Sequence, residues 1–219
     1  MSKLFGIFTR KERWGLSARG WLVLFFIALF LCVVLVWAVH PFLAVTARVP
    51  TKILVVEGWV NVYSINAAIA EFKSGAYDRV YTTGGPIEGT GSFSSIYTTS
   101  ANVGAGRLRE AGLAPDLVQM VPSKINDRDR TYSAAIALRD WFYENQITVT
   151  HLNVLTQDAH SRRTRLLFQK AFGKKTKVGV ISVPNPDYDA KHWWRYSQGV
   201  KEIMSEGAAY LYVRLFFHP

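Results

Sequence analysis

The sequence predicts an α/β domain built on a doubly wound, mostly parallel sheet of about five strands, preceded by one N-terminal transmembrane helix. Three observations predict it. Trp21 to Val39 contains no charged residue. From Lys52 onward, short apolar runs alternate with segments of helical periodicity, the pattern of βαβ units. Those runs are continuous rather than alternating in polarity, as strands covered on both faces are.

The chain opens on a basic segment, residues 1–20, where Lys3, Arg10, Lys11, Arg13 and Arg19 face Glu12 alone. It therefore holds +4 of the formal +10, and the remainder is moderately basic. Residues 21–39 follow as the span. At about 1.5 Å per residue they give roughly 28 Å of helix, close to a hydrocarbon core. Trp21 and Trp37 sit near its ends, as interfacial aromatics do. The basic cluster before the span puts the N-terminus in the cytoplasm and everything after His40 outside. Val45-Thr46-Ala47 has the small residues of a cleavage site, but the run exceeds a signal-peptide core of about 7–15 residues, so it reads as an anchor. The only cysteine, Cys32, lies in the span, leaving the domain no disulfide.

Residues 40–51 read as a tether and 52–219 as the α/β domain. Ile53–Val56 is the first strand, ending at Glu57-Gly58-Trp59. Asn61 offers an N-cap to a helix with Val62, Ile65, Ile69 and Phe72 on one side, stopped by Gly75. Arg79–Thr82 is the second strand, running into Gly84-Gly85-Pro86. A polar Gly/Ser loop over 87–95 leads to a helix presenting Tyr97, Ala101, Ala105 and Leu108, in which Gly104 and Gly106 suit close packing. Leu117–Val121, His151–Thr156 and Val178–Val183 are the remaining strands. Helices through Ala135, Leu138 and Phe142, and over Ser161–Phe172 with Gly173 as stop, lie between them. The last segment, His192 to Phe217, carries Trp193, Tyr196, Val200, Ile203 and Leu211 on one stripe. Too short at its apolar end to span a bilayer, it either covers the sheet or touches the membrane with Arg214 snorkelling.

A parallel sheet gathers the C-terminal ends of its strands on one edge, where open α/β sheets bind ligands. That edge collects Glu57, the Gly84-Gly85 pair, the Asp127–Thr131 loop (with Asp129, Arg130 and Thr131), Thr156, Asp158, His160, and Asp187 with Asp189. The junction 155–163, LTQDAHSRR, is the strongest signal: a histidine that titrates near neutrality and arginines that grip oxyanions in a bidentate fashion, where a helix begins. A solvated basic helix is the plainer alternative, because Arg165, Lys170, Lys174, Lys175 and Lys177 continue the charge. Gly84 and Gly85 could turn backbone N–H groups toward an anion, or simply make a tight turn before Pro86. Asp158 can cap the helix and Arg162 can be solvated. No dinucleotide fingerprint, P-loop, G-x-S-x-G elbow or His/Cys metal spacing is present, and Asp187-Tyr188-Asp189 reads as loop capping. The sequence names no cofactor. An extracytoplasmic domain argues against nucleic acid and for attraction to anionic lipid.

The segments ILVVEGW, YDRVYTTGGP, DRDRTYSAAIALRDW, LTQDAHSRRTRLLF and WWRYSQGVKEIMSE, in that order, resemble the YdcF/SanA/ElyC-like family, also called domain of unknown function 218. The most specific element is a strand ending in Thr followed by His-x-x-Arg, here Thr156, His160 and Arg163. The resemblance implies a Rossmann-like domain with a ligand site at this edge, from about residue 52 to the C-terminus. For members with one N-terminal span it implies a bacterial inner-membrane protein of envelope barrier function or lipid-carrier metabolism. One cytoplasmic member is associated with S-adenosylmethionine. Three departures stand out: Glu57-Gly58-Trp59 replaces a glycine run, Thr131-Tyr132-Ser133-Ala134 lacks the Asn of a Thr-x-x-Asn signature, and no acid opens the second helix around 97–100.

Two functions follow as expectations. One is an envelope hydrolase or transferase acting on a phosphorylated, anionic or lipid-linked substrate, with His160 as acid/base, Arg163 as anion clamp, Glu57 as a second carboxylate, and Gly84, Gly85, Asp129, Arg130, Thr131, Thr156 and Asp158 at the ligand. The other is a non-catalytic binding or scaffold protein using the same pocket.

Overall fold

A computed structural model describes residues 16–75, 77–87, 99–124 and 129–218. The chain forms two compact units, Met1–Ala38 and Val39–Pro219. Helix α1 (Ala18–Leu43) carries the apolar stretch, its residues as far as Ala38 belonging to the first unit, and the large apolar side chains from Trp21 to Trp37 other than Val36 are exposed. Among the described residues it is the one helix long and apolar enough to cross a membrane. The helix runs a turn beyond the expected span at its C-terminal end, taking in Pro41.

The second unit holds a five-stranded, all-parallel, Rossmann-like sheet in the order β3-β2-β1-β4-β5, as the sequence predicts. Its strands are β1 (Ile53–Glu57), β2 (Arg79–Gly84), β3 (Val118–Pro122), β4 (His151–Gln157) and β5 (Lys177–Val183). Helices α2 (Val62–Ser74) and α3 (Ser100–Glu110) cover one face; α4 (Arg130–Glu144) and α5 (Ser161–Phe172) cover the other. The period-two alternation of a strand divides each between two cores. Leu54 and Val56 of β1 join Ile65, Ala105 and Leu108 on one side, whereas Val55 joins Leu138, Phe142 and Phe168 on the other. By the same alternation Glu57 falls on the side of α4 and α5. The register of β1 against β2 (Glu57 beside Thr83) and of β1 against β4 (Val56 beside Leu155) brings the strand ends to one level.

Two expectations change. Residues 40–51, read as a tether, pack onto the domain. Leu43 is buried, Ser161 Oγ donates to its carbonyl (3.0 Å) and accepts from Val45 N (2.9 Å), and Ala47 pairs antiparallel with Val180 on the outer edge of β5. Asn153 of β4 then grips Val49 through both its amide oxygen (2.9 Å) and nitrogen (3.0 Å). The bridge covers part of an otherwise open sheet edge. The C-terminal segment is also not one helix. A 3₁₀ turn over Ala190–Arg195 breaks at Tyr196 before α6 (Ser197–Leu215), and of the expected stripe only Trp193 and Ile203 are buried. Tyr97, the 88–95 part of the Gly/Ser loop and Asp127 lie outside the described residues.

Candidate functional site

In the strand order, β1 and β4 are neighbours whose following helices lie on opposite faces, α2 on one and α5 on the other. That is the topological switch point, where loops splay apart and leave a crevice. The crevice is a cleft of about 490 Å³ whose wall includes Glu57, Trp59, Gly84, Gly85, Asp129, Arg130, Thr131, His160, Arg163 and Glu206. Eight of these residues were singled out from the sequence. Trp59 and Glu206 complete the set.

At the bottom lies Glu57, the last residue of β1, almost fully buried. Burial alone would push its carboxyl up, but the His160 charge outweighs it, helped by hydrogen bonds, and holds the carboxyl below its usual range. Thr164 Oγ1 from α5 donates to Glu57 Oε2 at 3.0 Å, and Thr131 Oγ1 from α4 lies 3.3 Å from Oε1. Thr156 is fully buried behind Glu57 rather than lining the cleft.

His160 ends the short 3₁₀ turn Asp158–His160 and stands at the N-cap of α5. Its Nδ1 is 3.0 Å from Glu206 Oε1 and its Nε2 is 3.5 Å from Glu57 Oε2. Burial opposes its charge, yet the two carboxylates prevail and raise its pKa to about 9. A pKa so raised keeps the ring charged at neutral pH, with the Arg163 Nη2 also 2.9 Å from Nδ1. Trp59 meets it edge to face, with ring centroids 5.0 Å apart.

Arg163, one turn along α5, grips Glu206 with Nε to Oε2 (2.8 Å) and Nη2 to Oε1 (3.0 Å). Between these cations Glu206 is held down at about 2, against the upward push of its own burial. The four side chains balance, two carboxylates against two cations. A buried cluster of this kind tolerates its charges only because each is paired.

Two helix N-termini open onto the same cleft, α3 at Ser100 and α4 at Arg130. Gly84 lets the first of them, α3, come close to the end of β2. Its φ of +145° suits glycine, and a Cβ there would lie 2.7 Å from Ser100 Cβ. Close packing by Gly104, expected from the sequence, is equally tight: a Cβ on it would sit 2.6 Å from Gly58 Cα.

Asp158 does not join the cleft. At φ +30° it turns to the other side of the junction, where Oδ2 accepts from Tyr188 Oη (2.7 Å) and Asn185 N (3.2 Å) and Oδ1 lies 2.9 Å from His40 Nε2. It anchors the β5–α6 loop and the end of α1 instead of a ligand, and caps no helix. Arg162 is likewise engaged: its guanidinium lies over the Phe42 ring at 4.0 Å. Asp189 caps the 3₁₀ turn through Lys191 N (2.9 Å), as loop carboxylates do. Among the described residues, no group of three or more His, Cys, Asp or Glu could hold a metal ion.

Glu206 escaped sequence reasoning because it is 46 residues from His160 and 43 from Arg163. A signal existed: Glu202 and Glu206 are the two acids of α6 and stand as a like-charge i,i+4 pair. No family model matches this sequence, and no curated protein matches it.

Proposed function

We propose that this chain is a membrane-anchored, extracytoplasmic domain of the YdcF/SanA/ElyC-like kind that binds and acts on a phosphate-containing or otherwise anionic small molecule or lipid-linked precursor of the bacterial envelope. In this reading α1 crosses the inner membrane with its basic leader in the cytoplasm. The observation that carries the reading is the convergence on one switch-point cleft of Arg130, Arg163, the His160 imidazolium and two helix N-termini. Those groups suit an oxyanion.

Glu206 already fills the place between Arg163 and His160 with a carboxylate. An incoming phosphate would compete with it for the same donors. Once Glu206 is displaced, His160 can give its proton to a departing oxygen as general acid, while Glu57 keeps the imidazole charged and oriented. The described lining holds Thr83, Ser100 and Thr131 hydroxyls, but the carboxylate beside Thr131, Glu57, is held below its usual range by the His160 charge and is a weak base. This favours water as the nucleophile in a hydrolytic version. The second reading, a non-catalytic binder, draws on a different observation: Glu57, His160, Arg163 and Glu206 pair with one another without substrate.

The test is a paired measurement on the full chain. Inorganic phosphate should perturb the His160 ring signals in NMR, and Arg130→Ala should weaken that binding. Turnover of a panel of phosphomonoesters and diphosphates should disappear in His160→Gln. Phosphate binding with no turnover of any substrate class would select the binder; no phosphate response at all would remove both readings.

A further inference from the structure

Helix α6 has two unlike faces. Inward, Gly199, Ile203 and Val213 are buried and Glu206 reaches the cleft. Outward, Val200, Met204, Ala208, Leu211 and Leu215 follow one another at spacings of three or four residues and so line one side of the helix. The four larger ones are 39, 64, 56 and 60% exposed. Lys201 and Arg214 flank them. A stripe of about 22 Å in which the apolar side faces outward reverses the usual order for a helix on a domain surface.

What lies beside the stripe identifies its cover. Gly207, next to it on the helix, faces Leu43: a Cβ on Gly207 would come within 3.9 Å of Leu43 Cδ1. Tyr210 meets Phe42 edge to face with centroids 5.4 Å apart, and Phe42 is itself 44% exposed. Phe42 and Leu43 belong to the last turn of α1, a few residues after the uncharged run ends at Val39. Chain connectivity alone therefore keeps this part of the domain within a turn or two of the bilayer boundary. Arg162 over Phe42, Lys201 and Arg214 supply positive charge around it.

We infer that α6 is an interfacial helix: its outer stripe seats in the boundary region of the same bilayer that Trp21–Val39 enters, at a depth of about 5–10 Å, with Lys201, Arg214 and Arg162 at the level of anionic headgroups. The inference stands on the apolar span and the α6 surface, independently of how the cleft is read. It has a consequence for the cleft, because the helix that meets lipid on one face carries Glu206 on the other.

Spin labels decide it. The full chain, with Cys32→Ala, carries one nitroxide at a time through Met204→Cys, Leu211→Cys or Tyr143→Cys in vesicles of phosphatidylcholine and phosphatidylglycerol. Tyr143 on α4, 86% exposed, is the water-accessible reference. Labels at positions 204 and 211 should lose broadening by a water-soluble nickel chelate and gain broadening by oxygen relative to 143. Adding Val200→Glu and Leu215→Glu should return the label at 211 to water. Nickel access at 204 and 211 equal to that at 143 would overturn the inference. So would spin–spin broadening that disappears on dilution with unlabelled protein, since a second copy would then be the cover.

Discussion

The imidazole of His160 has one nitrogen 3.0 Å from Glu206 and the other 3.5 Å from Glu57, so its proton is retained to about pH 9 rather than the unperturbed 6.5. A folded-state pKa above the unfolded one stabilises the fold fully below pH 6.5, and the contribution is lost as pH rises through about 9. The shift corresponds to on the order of 3 kcal/mol. Calorimetry should thus show the melting temperature of the native domain declining between these limits, and His160→Gln should flatten that decline. Glu206 has the opposite sign: its pKa falls to about 2, so its contribution is present above about 4.5 and lost as pH drops through 2. A melting temperature indifferent to pH from 6 to 10 would refute the charged cluster. Replacing Glu206 by Gln raises the charge of the cluster by one while leaving Arg163 a neutral acceptor. If Glu206 occupies the place of an anion, inorganic phosphate should bind Glu206→Gln about tenfold more tightly, roughly 1.4 kcal/mol, by calorimetric titration. Weaker binding would show that Glu206 positions the cations and does not compete for them.

Among the elements, α3 is held to the end of β1 by contact without side chains. Gly104 lies against Gly58, and a Cβ on Gly58 would fall 2.0 Å from Ser100 O. Gly104→Ala should therefore move α3 outward, lowering the urea midpoint by the equivalent of about 1–3 kcal/mol and weakening phosphate binding as Ser100 leaves the cleft. Unchanged stability would mean that α3 shifts freely and is not fixed by this contact. Strands and the outer helices were legible in the sequence because burial fixes their period: Ile65 and Ile69, Ala101 and Leu108, Leu138 and Phe142 are inward as predicted. Gly75 and Gly173 close α2 and α5 where expected. The expected C-terminal stripe divides between two faces, with Trp193 and Ile203 inward and Tyr196, Val200 and Leu211 outward. Periodicity shows that apolar residues share a face but carries no information on what that face meets, and Val200 and Leu211 look outward with Met204.

At the scale of the whole molecule, the domain begins earlier than composition suggests. Residues 40–51 follow the apolar span directly and show no strand pattern bounded by turns, yet backbone and side-chain bonds sew them to β4, β5 and α5. Asn153→Ala removes both bonds to Val49 and the 2.8 Å bond to Tyr77 Oη, leaving the part-buried backbone groups of Val49 without this partner while Tyr77 keeps its bond to Glu71. It should cost about 2–4 kcal/mol in denaturant unfolding, and a chain starting at Lys52 should be less stable still than one starting at Val39. Equal midpoints for the two truncations would restore the tether. That Glu57, His160 and Arg163 share one cleft was legible in the sequence because a parallel sheet delivers strand ends to one edge, whereas Thr156, of the same strand end, is buried outside it. Asp158 shared that edge and still pointed away, since one residue of backbone rotation at φ +30° sends its carboxylate to Tyr188 and His40.

The sequence by itself determined the apolar span, the five parallel strands with their covering helices, and the edge at which Glu57 and His160 meet. Each depends on local pattern or on the handedness of βαβ connections, which act over a few tens of residues. Only the tertiary structure decided that Glu206 closes the cluster, that two carboxylates flank the His160 ring, that Asp158 faces His40, and that α6 turns its apolar side out. Those outcomes depend on which side chains come within about 4 Å across long stretches of chain, and Coulomb and desolvation energies of several kcal/mol at such distances are set by packing that no local pattern encodes.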